Sequence, residues 1–489
     1  MNINKIVFAA SILLLSVVFS CNGQEGSPSD NSFCPLDLLR PSANGRYLVD
    51  KNNRPVYLLG GTAWTMPENC TREDVDDYLQ DRKNKGFNYV QIVATRDLHS
   101  QGIEDQVKKG TMNPENKYGF RPFSWNENQK ADVSNPVIVK GGTPTEPNDY
   151  WDHLEYIIQK TESLGMYVGL LPTWGKYYIN NKIPEMRLFT EASAYTYGQF
   201  LGERYRKYNH IIWILGGDVP AIANVDGRPI YRKMAEGIAK GATREELQWD
   251  KASPSWEKIM VTYHGRNAAS EFFETDAWLR LNMVYNDDPE LHGNILHYYH
   301  NGIPRPMLQG ECWYEGWVWN GTHKPAKVIR RQMYQTFFSG ALAGYVYGVA
   351  ASTRETTDML LKFMPGWKDR LNLEGAGQVK YLKKLLDQHR WWNWEPAQNV
   401  ILDGLGEGET LKTACASTNG RELLIYFADT VPATINLKRI TASPRATVNW
   451  YDPRNGNTLN AGIYETCQAK SFSPPDNWDD SVLIIEAKD

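Results

Sequence analysis

Two acids close apolar runs in this chain. Asp218 ends the run in "IIWILGGDVP", residues 211 to 220, and Glu311 ends "RPMLQGE", residues 305 to 311. A single carboxylate after a Gly-rich turn has an ordinary reading as a helix N-cap, and Asp218 alone carries either meaning. Glu311 alone could serve as a helix-dipole or salt-bridge acid. A facing pair can do more. One carboxyl keeps its proton to help a leaving oxygen depart, and the other stays ionised to meet the oxocarbenium carbon, which is the chemistry of glycosidic hydrolysis. Around Glu311, "LQGECWYEGW" adds Trp313, Tyr314 and Trp317 as flat apolar surfaces for sugar C–H faces. Glu315 reads as a supporting or solvated acid.

Such a pair needs a scaffold that holds both acids at one face. From about residue 53 the chain alternates short apolar runs with amphipathic helical stretches. The runs are 55 to 61, 88 to 95, 166 to 174, 210 to 218, 259 to 264, 281 to 286, 305 to 311 and 343 to 348. Continuous apolar strands separated by helices indicate parallel strands covered on both faces. Eight of them predict an α/β fold of the (β/α)8 barrel type, with chemistry at the C-terminal strand ends. An open doubly wound sheet is the alternative, but no G-x-G-x-x-G follows the first strand. The strand ends present Trp64, Gln91 to Arg96, Trp174, Asp218, His264, Asn286, Glu311 and Tyr347. Trp64 and Trp174 read as sugar platforms or barrel plugs. His264 reads as a hydrogen-bond partner for a sugar hydroxyl or a catalytic acid, or as a satisfied rim group. The candidate substrate-binding set is Trp64, Gln91, Arg96, Trp174, His264, Trp313 and Tyr347. The segment 101–147, poor in periodicity, is expected over the barrel mouth.

The helices carry their own punctuation. Thr71 and Asp74 form a capping arrangement before "REDVDDYLQDRKNKG", which Gly86 ends, and "YWDHLEYIIQKTESLG" closes at Gly165. After about residue 401 the texture changes to short alternating runs split by turns, with Asn455-Gly456 marking a tight one. That predicts a small C-terminal all-β sandwich over 401–489 behind a barrel spanning 41–400.

Composition fits a globular protein. The 489 residues carry a net charge of -4, which favours neither nucleic acid nor an anionic membrane surface. With 17 Trp and 27 Tyr the chain is rich in aromatic surface of the kind that sugars stack on. No zinc, zincin or P-loop signature appears, so neither metal nor cofactor is expected. Residues 1–20 read as a signal peptide: Lys5, the apolar "IVFAASILLLSVVF", then "SC". The pattern resembles a bacterial lipoprotein signal in which Cys21 is lipidated, followed by a flexible linker over 21–40. It places the protein in the bacterial cell envelope, held to the membrane by the N-terminal lipid alone. The remaining cysteines are too few for a disulfide framework, although Cys415 and Cys467 could pair.

Longer stretches carry a resemblance. "LGGTAWTMPENCTREDVDDYLQDRKNKGFNYVQ", "LGMYVGLLPTWG", "FLGERYRKYNHIIWILGGD", "MLQGE" and "FSPPDNWDDSVLII" resemble glycoside hydrolase family 140, the apiosidase-like enzymes. The resemblance implies a (β/α)8 barrel followed by a β-sandwich often labelled collagen-binding. It implies Asp218 as acid/base and Glu311 as nucleophile of a retaining hydrolase, with the pair's proton on Asp218. It also implies release of apiose from galacturonic acid in the pectic polysaccharide rhamnogalacturonan II. A uronic-acid leaving group would suit basic residues near strand ends, with Arg96, Lys176 and Arg266 as candidates. The chain departs from the family's usual motifs at Gly61 and Lys176, where acids are common. The competing class is a non-catalytic glycan-capturing lipoprotein on the same scaffold, which would need the Trp residues but not both acids. A glycosidase of another sugar specificity, and more remotely a collagen-directed protease, complete the alternatives.

Overall fold

The computed structural model describes residues 35–96, 113, 115–179, 186–285, 291–319, 322–350, 363 and 365–489. The expected signal peptide, Cys21, most of the linker and Asn286 lie outside them. No helix among the described residues is long and apolar enough to cross a membrane.

The dominant sheet has nine strands among the described residues and is almost entirely parallel. In chain order its parallel members are Leu58–Thr62, Tyr89–Val93, Tyr167–Leu171, Ile211–Gly216, Met260–His264, Asn282–Tyr285, Met307–Glu311 and Gly344–Tyr347. The antiparallel pair Asn267–Ala268 extends one edge beside Asn282–Tyr285. The two ends of the sheet nearly close on each other. Val261 bridges Leu279, Arg280 N–H donates to the Val261 carbonyl at 3.2 Å, and the Thr262 hydroxyl donates to the Leu281 carbonyl at 2.6 Å. These strands are buried along their whole length because helices or the barrel interior cover each face, which is why they read as unbroken apolar runs.

Local chemistry sets the helix ends. Thr71 and Asp74 exchange side-chain bonds in a capping box at the start of Arg72–Asn84, and Gly86 takes φ +88° after its end. The carboxylate of Asp149 caps Tyr150–Ser163 by accepting from Trp151 and Asp152, and Gly165 follows at φ +65°. Within the segment expected over the mouth, the described part forms a hairpin of Phe123–Trp125 and Ala131–Pro136. It docks on the helix through Trp151, whose Nε1–H donates to the Pro122 carbonyl at 3.1 Å.

The C-terminal strands are all antiparallel. They form a six-stranded and a three-stranded sheet, the larger containing Thr413–Ser417, Glu422–Phe427, Arg445–Tyr451 and Ser481–Ala487. Its side chains alternate between two cores. Leu423, Ile425, Leu483 and Ile485 join the core shared with Ile435 and Phe472 of the smaller sheet. Leu424, Tyr426, Val482 and Ile484 join the barrel core instead. The contact includes a stack of Tyr426 on Tyr334 and a buried pair, Arg330 with Asp480, on helix Ala326–Phe338 and just before the last strand. Cys415 is buried and Cys467 exposed, both as free thiols, so the pairing considered from sequence is not formed.

Candidate active site

The strand Ile211–Gly216 leaves the barrel through a turn that only particular residues permit. Gly216, Gly217 and Asp218 take φ of +86°, +132° and +64° in succession. A Cβ at Gly216 would lie 2.4 Å from the His264 carbonyl oxygen, and one at Gly217 would lie 2.8 Å from the Trp174 ring. The glycines therefore let the backbone pass between two neighbouring strand ends. Hydrogen bonds pin it there: Gly217 N–H to the His264 carbonyl at 2.6 Å, and Gly175 N–H to the Gly217 carbonyl at 3.2 Å. Asp is one of the few side chains that tolerate the left-handed region without a large penalty. Asp218 caps no helix, since the next one begins at Arg228 with Gly227 as its N-cap. Asp218 is half-buried, and its Oδ1 is buried without a hydrogen-bond partner among the described residues.

Glu311 sits at the end of its strand and is buried. Its Oε1 accepts the Tyr314 hydroxyl, which itself accepts from Trp64 Nε1–H at 3.2 Å. Its Oε2 lies 2.8 Å from His264 Nε2. The other nitrogen, Nδ1, faces the backbone N–H of Asp218 at 3.3 Å and so acts as acceptor. That assigns the imidazole proton to Nε2, on the side of Glu311. Below, Gln309 Nε2–H donates to the Glu311 backbone carbonyl at 2.6 Å.

Burial pushes the Glu311 carboxyl above the ordinary glutamate range, and the charge of Asp218 pushes the same way. The His264 and Tyr314 donors oppose this by favouring the carboxylate. The resemblance placed the pair's proton on Asp218. The group that burial drives toward protonation is Glu311, and the two donors counter that drive.

An aromatic box encloses the acids. Trp64 and Trp174 meet edge to face at 5.2 Å, both touch the His264 ring, and Tyr285 stacks on it at 5.3 Å. His264 is thus neither a loose rim group nor exposed, and Trp64 and Trp174 are mostly buried walls. Tyr314, expected as a sugar platform, instead holds Glu311, and Tyr285 at its strand end enters the site without having been singled out. The Arg96 guanidinium lies 5.0 Å over Trp174, and that of Arg266 5.5 Å over Tyr285. Trp313 packs against Trp317 at 5.1 Å with Lys324 Nζ 4.2 Å over its ring. Lys176 Nζ lies over Tyr177 at 5.2 Å.

Tyr347 and Gly61 face the helix layer, while Gln91 shares the inner face of its strand with Tyr89. Gln91 is fully buried, on the same face of its strand as Tyr89, whose ring fills the space left by Gly60 and Gly169. Tyr347 is buried behind the sheet, its ring against Phe87 and the Arg82 guanidinium. Its hydroxyl donates to Glu315 Oε2 at 2.5 Å. Glu315 is accordingly buried rather than solvated, and it also accepts the Gly375 N–H at 2.9 Å. At Gly61 an added Cβ would face Tyr78 and Phe87, in the helix layer rather than the box.

The family model "Apiosidase-like, catalytic domain" matches residues 42–393. A second model, "Putative collagen-binding domain of a collagenase", matches residues 396–486. Among solved structures, a glycoside hydrolase family 5 protein from Bacteroides vulgatus aligns with a TM-score of 0.75 at 24% identity, covering 92% of this chain and 94% of its own. Another, titled glycoside hydrolase, gives 0.75 and 24% over 93% of this chain and 98% of its own. The fold is therefore shared with glycoside hydrolases. Comparison with curated protein sequences gives no match.

Proposed function

The chain belongs to the apiosidase-like family, and on that premise we propose that it is a retaining glycoside hydrolase of the family 140 type, built on a (β/α)8 barrel. One observation carries the reading. A buried carboxylate, Glu311, is held by two donors beside a second acid, Asp218, inside an aromatic box. A glycan-capturing protein has no need of such a group, since burying a carboxylate is costly unless its ionised form is used.

In the proposed mechanism Asp218 protonates the leaving oxygen while Glu311 attacks the anomeric carbon, and a glycosyl-enzyme ester forms. Asp218, now ionised, then takes a proton from water, which cleaves the ester and frees Glu311. His264 and Tyr314 stabilise Glu311 as a carboxylate before attack and as the departing group afterwards.

The substrate we propose is a pectic side chain, with apiose released from galacturonic acid in rhamnogalacturonan II by exo-action. Two guanidinium groups, Arg96 and Arg266, lie on aromatic walls that touch His264, which suits an anionic sugar beside the cleaved bond. The cell envelope is the proposed location, with Cys21 as the lipidated anchor. Incubation with pectic oligosaccharides and identification of the released sugar tests the activity. A uronic-acid aglycone should exceed its reduced, neutral counterpart in kcat/KM by roughly 10- to 100-fold, the worth of one charge-assisted hydrogen bond. Equal values would reject the anionic leaving group.

A further inference from the structure

We propose a divalent metal site, suited to zinc, where the end of the barrel meets the sandwich, with His389, Glu422 and Glu486 as its ligands. Glu422 and Glu486 are direct partners on neighbouring antiparallel strands. Like charges placed opposite one another destabilise a sheet unless a cation lies between them. Both occupy the face of the sheet that continues into Leu424 and Ile484, which pack toward the barrel. His389 arrives from the other side, three residues beyond helix Lys380–Leu386.

The three donors converge. His389 Nδ1 lies 2.8 Å from Glu422 Oε1 and 3.9 Å from Glu486 Oε1. One ligand atom from each residue falls within 4.8 Å of the others. Zinc takes imidazole and carboxylate ligands at about 2.0–2.2 Å, which allows these separations with little movement. The other oxygen of Glu422 is fixed by Trp394 Nε1–H at 2.7 Å, the kind of outer partner that orients a ligating carboxylate. All three ligands line a cavity of about 520 Å³, which leaves room for water to complete a four-coordinate ion. Two cations, Arg390 and Arg421, also line the cavity, and Arg421 pairs with Asp489 at 2.5 Å while its charge also acts on Glu422. The ion would take the place of the contact between His389 Nδ1 and Glu422 Oε1. The ion would then staple the sandwich to the barrel and raise stability with its concentration.

The test uses the full chain after chelator treatment, titrated with zinc chloride by calorimetry and followed by thermal unfolding. Wild type should bind one equivalent more than Glu486→Gln or His389→Gln, and its unfolding midpoint should rise with zinc while theirs should not. Trp394→Phe should keep the equivalent but weaken it roughly 10- to 100-fold. Glu486 is 42% exposed, so Glu486→Gln is expected to fold, and without zinc it should be at least as stable as wild type because the repulsion is relieved. Equal zinc stoichiometry and affinity in wild type and Glu486→Gln would overturn the site. The absence of binding in wild type would overturn it as well.

Discussion

The backbone amide of Asp218 donates to Nδ1 of His264 at 3.3 Å. Because that nitrogen is an acceptor, the ring presents its proton to Glu311, 2.8 Å away. One buried imidazole thus couples the left-handed turn that carries the first acid to the charge state of the second.

The pH dependence follows. Glu311 attacks only when ionised, and burial raises its affinity for the proton, so kcat/KM should fall as pH drops through a value above the ordinary glutamate range. The Tyr314 hydroxyl favours the ionised form, so Tyr314→Phe should move this acidic limb to still higher pH. A limb that stays in place or moves down would show that the tyrosine does not support the carboxylate.

Gly216→Ala tests the turn. Its Cβ would meet the His264 carbonyl, which is backbone and cannot swing away. Strain of about 1–3 kcal/mol is expected in urea unfolding, with at least a tenfold loss of kcat/KM as Asp218 shifts. Asp218→Asn should behave oppositely, keeping stability because Asn also tolerates the left-handed region, while losing several orders of magnitude in rate. Wild-type rates in Gly216→Ala would remove the turn from the account.

Much of this was legible in the chain. Each apolar run holds one of the parallel strands because both faces are covered, and the Thr71, Asp74, Gly86 and Gly165 signals are local chemistry that packing did not override. Which way a strand-end side chain points was not legible. Tyr347 stands at a strand end by sequence, yet it turns to Arg82 and Glu315 in the outer layer, whereas Tyr314 turns to Glu311. The N-cap reading of Asp218 failed because the next helix begins only at Arg228, with Gly227 as its N-cap, while Asp218 itself sits in the left-handed region. The tautomer of His264 depends on a long-range contact that no spacing encodes.

The sandwich is bound to the barrel by a buried ion pair. Arg330 and Asp480 meet at 2.7 Å, and Tyr426 and Gln378 satisfy their remaining positions. Asp480→Ala strands a buried guanidinium and should cost about 3–5 kcal/mol by denaturant unfolding. Replacing Arg330 and Asp480 together by apolar residues of similar volume should cost less than Asp480→Ala alone. A loss under 1 kcal/mol for the single change would mean that the pair is solvated.

The assignment of Glu311 as nucleophile and Asp218 as acid/base is tested most directly by trapping the intermediate. Asp218→Asn should still react with an activated aryl glycoside, whose leaving group needs no proton, but it lacks the base that speeds hydrolysis of the ester. Peptide mapping by mass spectrometry should then find the sugar on Glu311, and the first-formed product of the wild-type enzyme should retain its anomeric configuration. Sugar attached to another residue, or an inverted product, would contradict the assignment.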